Sequence, residues 1–290
     1  MLHRTSEPTP ALPSRTERVQ DRLRLHYERL ALSWHAMRLG RGRAVSLKPD
    51  AGLVRVEDGV RHIFVPNVRR AGVFRNGINA WLESVAEKYL GRTGYVPREG
   101  DTVIDIGAGI GEFSLWCAAA GARVVAFEPD PLAFVCLERN TSPLGTVQIY
   151  PYALWKERTN LRLHGSLDTS ESSLIEDGRP HPRYADIEAW PLDRLQFVTR
   201  LAVIDFMKVD GEGVEPEILI GASRTLRRTR VIGVDVGATI RRPNLRSRVE
   251  AMLSDMGFRA IPNDSSDAIL ALNTAMVGPF NNRVLGRRSY

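Results

Sequence analysis

Three glycines, at positions 107, 109 and 111, follow a short apolar run, and a second apolar run at 123–127 is followed by Glu128. Glycine lets the backbone turn sharply and lets a ligand lie against it, because no Cβ projects there. A carboxylate at the end of the second strand can accept hydrogen bonds from both hydroxyls of a ribose. The order of strand, glycine turn, helix, strand and acid therefore predicts a site for a cofactor that contains adenosine.

The spacing of these glycines bears on which cofactor binds. A dinucleotide-binding turn has the pattern G-x-G-x-x-G, which places a pyrophosphate at the N-terminus of the following helix. This chain has G-x-G-x-G instead, and Asp105 precedes the first glycine by two positions. A carboxylate there would repel a pyrophosphate but attract the ammonium and sulfonium groups of S-adenosylmethionine. The pattern therefore favours S-adenosylmethionine, although a tight turn without a ligand also selects glycine.

A second polar segment begins at the end of another apolar run, where Lys208, Asp210 and Glu212 alternate along the chain. Ligands of open α/β sheets bind outside the carboxyl ends of parallel strands, so these side chains are expected beside the glycine turn. Clustered acids raise one another's pKa, which prepares a base. The alternative is helix capping, since Pro216 suits the first helical position. We assign capping to Glu217 and catalysis to the first three residues.

Transfer of a methyl group to a hydroxyl needs a base, because the hydroxyl proton becomes acidic in the transition state. The candidates are Asp210, Glu212 and two histidines, His164 and His181, although a lone loop histidine is more often a solvated side chain. No metal site is assigned. A divalent cation held by Asp210, Glu212 and Asp235 is an alternative, since hard cations prefer oxygen ligands.

The charge and cysteine content of the chain indicate which kinds of partner and which cellular compartment to expect. The chain has 290 residues and a net charge of +6, and residues 1–50 hold ten Lys or Arg against five Asp or Glu. No reader motif or basic face with stacking aromatics indicates nucleic-acid binding. Cys117 and Cys136 are expected to be buried free thiols in a reducing compartment. Without an apolar signal or membrane-spanning run, a cytoplasmic protein is expected.

The N-terminal third is expected to form an extension of helices and a hairpin. Residues 1–14 are predicted to be disordered, and apolar residues at steps of three and four predict a basic amphipathic helix over 15–39. We expect this helix to pack on the core, with dimerisation or peripheral membrane contact as alternatives. Asp58-Gly59 predicts a hairpin between 54–56 and 62–65. A further helical stripe precedes the glycine turn: Ile78, Leu82, Val85 and Tyr89.

From Thr102 onward, strand-like runs alternate with helical ones, the pattern of a parallel sheet covered on both faces. A strand at 159–163 is followed by a long polar segment, 165–183, which is predicted to be a lid or binding loop. The strands expected for the sheet are 102–106, 123–127, 147–150, 203–209, 230–236, 258–262 and 268–272.

The sequence resembles the FkbM family of S-adenosylmethionine-dependent methyltransferases. The resemblance rests on the K-x-D-x-E-G-x-E pattern at 208–215 combined with the glycine motif at 103–114. Shorter matches follow in family order at 127–131, 153–154, 172–174 and 192–195. The family usually has an aliphatic residue where this chain has Gly211, which is expected to loosen the backbone that carries Asp210 and Glu212.

The resemblance implies an α/β class I methyltransferase (Rossmann-like) fold, with a seven-stranded, mostly parallel sheet and helices on both faces. The methyltransferase domain would span 96–275, after an extension at 15–95 and before a basic tail at 276–290. The implied cofactor is S-adenosylmethionine. The candidate catalytic residues are Lys208, Asp210 and Glu212, and the candidate cofactor-binding residues are Asp105, Gly107, Ala108, Gly109, Gly111, Glu128, Pro129 and Ala153.

The family most often methylates a hydroxyl group, so the resemblance implies a small-molecule, sugar, glycolipid, polysaccharide or secondary-metabolite acceptor. Two alternatives stay open: an N- or C-methyltransferase of the same fold, and a non-catalytic cofactor-binding protein that acts as a partner in an assembly. The chemistry of the acceptor distinguishes an N- or C-methyltransferase from an O-methyltransferase. Turnover of labelled cofactor distinguishes an enzyme from a non-catalytic binding protein.

Overall fold

The computed structural model describes residues 45–165, 174, 183–237, 242–263 and 267–277. The predicted disorder at 1–14, the helix at 15–39 and His181 lie outside these ranges, as do most of the segments 165–183 and 276–290. Within the described part, no helix is long and apolar enough to cross a membrane.

Thirteen strands and eight α-helices make up the described chain, with short 3-10 turns between some of them. The strands are β1 (Ser46–Asp50), β2 (Leu53–Glu57), β3 (His62–Val65), β4 (Thr102–Ile106), β5 (Arg123–Phe127), β6 (Val147–Tyr150), β7 (Ala153–Leu154), β8 (Thr159–Gly165), β9 (Arg183–Trp190), β10 (Ile204–Val209), β11 (Thr229–Asp235), β12 (Phe258–Ile261) and β13 (Ala268–Asn273). The helices are α1 (Val68–Ala71), α2 (Ile78–Leu90), α3 (Glu112–Ala119), α4 (Pro131–Thr141), α5 (Gln196–Thr199), α6 (Glu215–Gly221), α7 (Ser223–Leu226) and α8 (Leu245–Asp255).

The central sheet contains seven strands in the order β12-β13-β11-β10-β4-β5-β6. The pairs between β11 and β6 are all parallel, and β13 runs antiparallel to both of its neighbours. This is the mostly parallel, seven-stranded α/β sheet that the sequence predicts, and each of the seven strands lies within one residue of its predicted bounds. The strand order reverses at β4, so a crevice opens between the chains that leave β4 and β10.

Helices cover both faces of this sheet because successive strand residues point to opposite sides. On one face, Val103 and Phe206 pack with residues of α2, α3 and α4. On the other face, the next residues along the same strands, Ile104 and Met207, pack with α5 to α8. The predicted burial of the two free cysteines, Cys117 and Cys136, is confirmed.

Two smaller sheets flank the central one. The predicted hairpin is present as β2 and β3, and β1, which was not predicted, adds a third antiparallel strand. Asn140 of α4 holds this sheet in place by accepting from the backbone N of Phe64 and donating to the carbonyl O of Phe64 and Ile110. The other small sheet has the order β7-β9-β8, and β9 was also missed.

Candidate functional site

A cavity of about 330 Å³ lies at the carboxyl ends of β4, β5 and β10, within the size range of small-molecule sites. Nine of the predicted site residues line it: Gly107, Ala108, Gly109, Glu128, Pro129, Ala153, Lys208, Asp210 and Glu212. Two predicted cofactor-binding residues, Asp105 and Gly111, do not line it. The sheet topology therefore brings the two sequence motifs to one crevice.

The glycine turn lies directly against the segment that follows β10. Gly107 has φ +69°, and a Cβ built on it would lie 1.9 Å from the carbonyl O of Asp210. Gly111 has φ +100°, and its Cβ would lie 2.9 Å from Leu137 of α4. Only glycine fits the first position, because any other residue would collide with backbone. Packing against α4 therefore accounts for Gly111, which does not line the cavity as its predicted cofactor-binding role required.

Glu128 closes the far side of the glycine turn. Its Oε2 accepts from the backbone N of Gly109 at 2.7 Å, and its Oε1 accepts from that of Asp130 at 2.8 Å. Burial raises the pKa of Glu128 to about 8, although these backbone bonds oppose the shift. Each carboxylate oxygen can accept more than one hydrogen bond. Glu128 therefore keeps capacity for the hydroxyls of a ribose, which would favour its ionised form.

Asp105 and Lys208 form a buried ion pair beneath the turn. Asp105 is fully buried, and its Oδ1 lies 3.1 Å from Nζ of Lys208 while its Oδ2 accepts from Ser114 at 2.6 Å. Lys208 also donates to the carbonyl O of Gly107 at 2.7 Å. Asp105, which was predicted to contact the cofactor, therefore lies beneath the turn and outside the cavity lining, where it pairs with Lys208.

The acidic neighbours of Lys208 favour its protonated form. Burial alone would lower its pKa, but the charges of Asp105 and Asp210 outweigh burial and raise that pKa above its ordinary value. An ammonium that stays protonated has no lone pair to accept a proton. The contacts of Lys208 hold the glycine turn, and its catalytic role stays a prediction.

Asp210 presents its carboxylate to the cavity. Its Oδ2 accepts from the hydroxyl of Tyr89 at 2.8 Å and lies 3.7 Å from Nζ of Lys208. Tyr89 also lies 3.3 Å from Oδ2 of Asp235, which forms an ion pair with Lys88. Burial first, and then Asp210, raise the pKa of Asp235. Asp210 therefore has Asp235 as its acidic neighbour, and the hydroxyl of Tyr89 joins these two carboxylates.

The segment after Asp210 is pinned rather than loose. Glu215, which is buried, accepts through Oε1 from the backbone N of Gly211 at 2.9 Å and of Gly213 at 3.0 Å. A Cβ on Gly211 would lie 2.6 Å from Ile218, so glycine fits tight packing here, contrary to the loosening that we expected. Glu212 has φ +52°, a conformation that L residues rarely adopt and that recurs at functional sites.

The charge of the cavity suits a cation. Its lining contains three basic side chains and five acidic ones: Arg70, Lys88 and Lys208 against Glu112, Glu128, Asp210, Glu212 and Asp235. A net negative wall attracts a sulfonium and repels a pyrophosphate. Together with the glycine turn, which lines the cavity, and the acceptor oxygens of Glu128, this negatively charged lining fits S-adenosylmethionine.

Other sequence candidates lie elsewhere. His164 is on β8, outside the cavity lining, with its ring edge-on to Tyr184. Glu217 lies in the first turn of α6, as expected for a capping residue, and pairs with Arg242 at 3.1 Å. Within the described ranges, no three His, Cys, Asp or Glu side chains are grouped to hold a metal ion.

Helix α2 contributes to the cavity, which the sequence did not predict. Trp81, Val85, Lys88 and Tyr89 line the cavity from this helix. Val85 and Tyr89 belong to the predicted apolar stripe, which was assigned to the core alone. The signal was the position of Trp81 and Lys88 at the edge of that stripe, four residues before and three residues after Val85.

Comparison with known proteins gives both structural and sequence similarity. Magnesium protoporphyrin IX methyltransferase from Synechocystis, solved with bound S-adenosylmethionine, is 14% identical over 70% of this chain and 83% of that one, with a TM-score of 0.43. An S-adenosylmethionine-dependent methyltransferase from Aquifex aeolicus is 13% identical over 68% and 97%, with a TM-score of 0.39. Precorrin-6y C5,15-methyltransferase from Geobacter metallireducens is 15% identical over 67% and 88%, with a TM-score of 0.38. No curated protein matches the sequence significantly.

The family comparison covers the part of the chain that builds the cavity. The model of the methyltransferase FkbM domain matches residues 105–260. This range begins at the buried aspartate of β4 and includes Glu128, Lys208 and Asp210. Since the match spans more than half of the chain, this protein belongs to the FkbM family of S-adenosylmethionine-dependent methyltransferases.

Proposed function

We propose that this methyltransferase acts on a hydroxyl group of a neutral, polyhydroxylated small molecule, such as a sugar or glycolipid. The observation that supports it is the carboxylate of Asp210, which lines the cavity within reach of the glycine turn. Bound S-adenosylmethionine supplies an electrophilic methyl group on its sulfonium. A hydroxyl is a weak nucleophile until a base takes its proton, whereas a neutral amine can attack that group without first losing a proton.

Asp210 is the base in this proposal. Its Oδ2 is held by Tyr89 and lies near Lys208, while its Oδ1 has no hydrogen-bond partner among the residues that the structure describes. This oxygen takes the proton of the acceptor hydroxyl as the acceptor oxygen gains the methyl group. Glu212, at the edge of the same cavity, orients the acceptor. The acidic lining disfavours an acceptor that carries a phosphate or sulfate.

Transfer of a labelled methyl group tests the proposal. The purified protein is incubated with methyl-labelled cofactor and a panel of neutral sugars, the corresponding sugar phosphates, and amines. We expect a labelled methyl ether on a neutral sugar or glycolipid. Label on nitrogen or carbon would show the alternative chemistry of the same fold. Tight cofactor binding without transfer to the panel or to host extracts would support a non-catalytic binding protein.

A further inference from the structure

Tyr89 joins the proposed base to a second carboxylate. Its hydroxyl lies 2.8 Å from Oδ2 of Asp210 and 3.3 Å from Oδ2 of Asp235. A phenol has one proton, so it donates fully to one of these carboxylates at a time. The hydroxyl therefore has two alternative acceptors within one short rotation.

The side chain of Tyr89 is tightly packed, and its hydroxyl is protonated. Its side chain is 2% exposed, and its ring meets that of Phe113 edge-on at 5.7 Å. Burial, followed by the charges of Asp210 and Asp235, raises the pKa of Tyr89 well above its ordinary value. The hydroxyl of Tyr89 therefore keeps its proton and acts as a hydrogen-bond donor near neutral pH.

Asp235 has two further partners, whereas the side chain of Asp210 is partly exposed to the cavity. Asp235 pairs with Lys88 and accepts at Oδ1 from the backbone N of Gly237 at 2.7 Å. Asp210 has a side chain that is 23% exposed, so it can exchange protons with the cavity. The other charged groups that face this cluster are Lys208, Asp105, Glu212 and Glu215.

We propose that Tyr89 is a positioning residue that couples Asp210 to Asp235. Its hydroxyl donates to Asp210 while that carboxylate is ionised, and turns to Asp235 once Asp210 has taken a proton. This change of acceptor stabilises the ionised form of Asp210 before methyl transfer. After the transfer, Asp235 receives the hydrogen bond from Tyr89. Tyr89 precedes the range 105–260 that the family model matches, whereas Asp210 and Asp235 lie inside it, so the coupling joins the preceding segment to the family domain. Its kinetic consequence rests on the proposed function, whereas the coupling is a property of the free protein.

The coupling is tested in the free, full-length protein by carbon-13 NMR titration of labelled aspartates. Asp210→Asn removes a like charge and also releases Tyr89 to Asp235, so it should lower the pKa of Asp235. In a Tyr89→Phe background the same substitution should lower that pKa clearly less, because only the charge effect remains. Tyr95→Phe is the control background. The hydroxyl of Tyr95 donates to Asp101 at a distance of 2.9 Å, and neither residue lines the cavity.

If Asp210→Asn lowers the pKa of Asp235 equally in the Tyr89→Phe and Tyr95→Phe backgrounds, the coupling is overturned. This outcome does not depend on which acceptor the enzyme uses. The wild type supplies a second measurement that needs no variant. The Cζ resonance of Tyr89 should shift across the pH range in which Asp235 titrates, and a constant Cζ resonance would equally overturn the coupling. With an acceptor in hand, Tyr89→Phe should lower kcat about tenfold and move the acidic limb of its pH profile upward, while the Kd for S-adenosylmethionine stays unchanged.

Discussion

Lys208 and Asp105 face each other across β10 and β4 and form an ion pair of 3.1 Å between side chains that are 5% and 0% exposed. The same ammonium donates to the carbonyl O of Gly107. One buried pair therefore fixes the register of two central strands and the conformation of the turn that begins the cavity.

Lys208→Met should destabilise the protein by roughly 3 to 5 kcal/mol, because it leaves the Asp105 carboxylate buried without its cation. Adding Asp105→Asn should recover part of that loss. The surface pair Lys48–Glu57 supplies the control, and Lys48→Met should leave the free energy of unfolding nearly unchanged because water screens such pairs. Urea denaturation measures all three variants. Equal costs for the two lysine substitutions would contradict the account.

Gly107→Ala should prevent the glycine turn from forming, since the new Cβ would overlap the carbonyl O of Asp210 at a positive φ. We expect a lower Tm and at least about a tenfold weaker Kd for S-adenosylmethionine, which corresponds to 1.4 kcal/mol or more. Gly145→Ala is the control, because a Cβ at that position meets no atom within 4 Å. Unchanged binding by Gly107→Ala would show that the cofactor lies elsewhere.

Glu128 should release a proton when the cofactor binds near pH 7. Its pKa is raised by burial to about 8 in the free protein, and ribose hydroxyls that donate to it would stabilise the ionised form and lower that pKa. Calorimetry in two buffers of different ionisation enthalpy measures the release. Glu128→Gln should abolish it, and Glu128→Ala should weaken binding by roughly 1 to 3 kcal/mol. Binding heats that do not depend on the buffer would contradict this role.

Glu215 should make stability fall as the pH rises. Burial raises its pKa to about 7 from an ordinary value of 4.5, so between these values the folded protein binds more protons than the unfolded chain. Glu215→Gln keeps an oxygen to accept from Gly211 and Gly213 but does not titrate. Its stability relative to wild type should therefore rise from pH 4.5 to 7, by up to about 3 kcal/mol. A difference that is constant with pH would rule this out.

Local sequence patterns predicted the central sheet and most of the cavity. The strands are short apolar runs bounded by polar residues, and the carboxyl ends of parallel strands meet at one edge. That geometry is enough to place Glu128, Lys208 and Asp210 together from the sequence alone. It succeeds because strand order and direction in such folds follow from few rules.

What the sequence did not reveal depends on packing between distant elements. Asp105 carries the charge of a cofactor ligand, and only its burial beneath Gly107 shows that it acts through Lys208. Tyr89 reads as a core residue because its ring is buried, while its hydroxyl reaches two carboxylates from other strands. An apolar stripe predicts which face of a helix is buried, but not which polar atoms it meets there.

Comparing kcat and the Kd for S-adenosylmethionine between wild type and Asp210→Asn tests the central claim most directly. The amide keeps the shape of the side chain but cannot take the acceptor proton. We predict that kcat falls roughly a hundredfold or more, because a base acts only in the transition state, while the Kd barely changes. Full turnover by Asp210→Asn, in a protein that melts at a lower temperature, would contradict the account and leave this carboxylate a purely structural role.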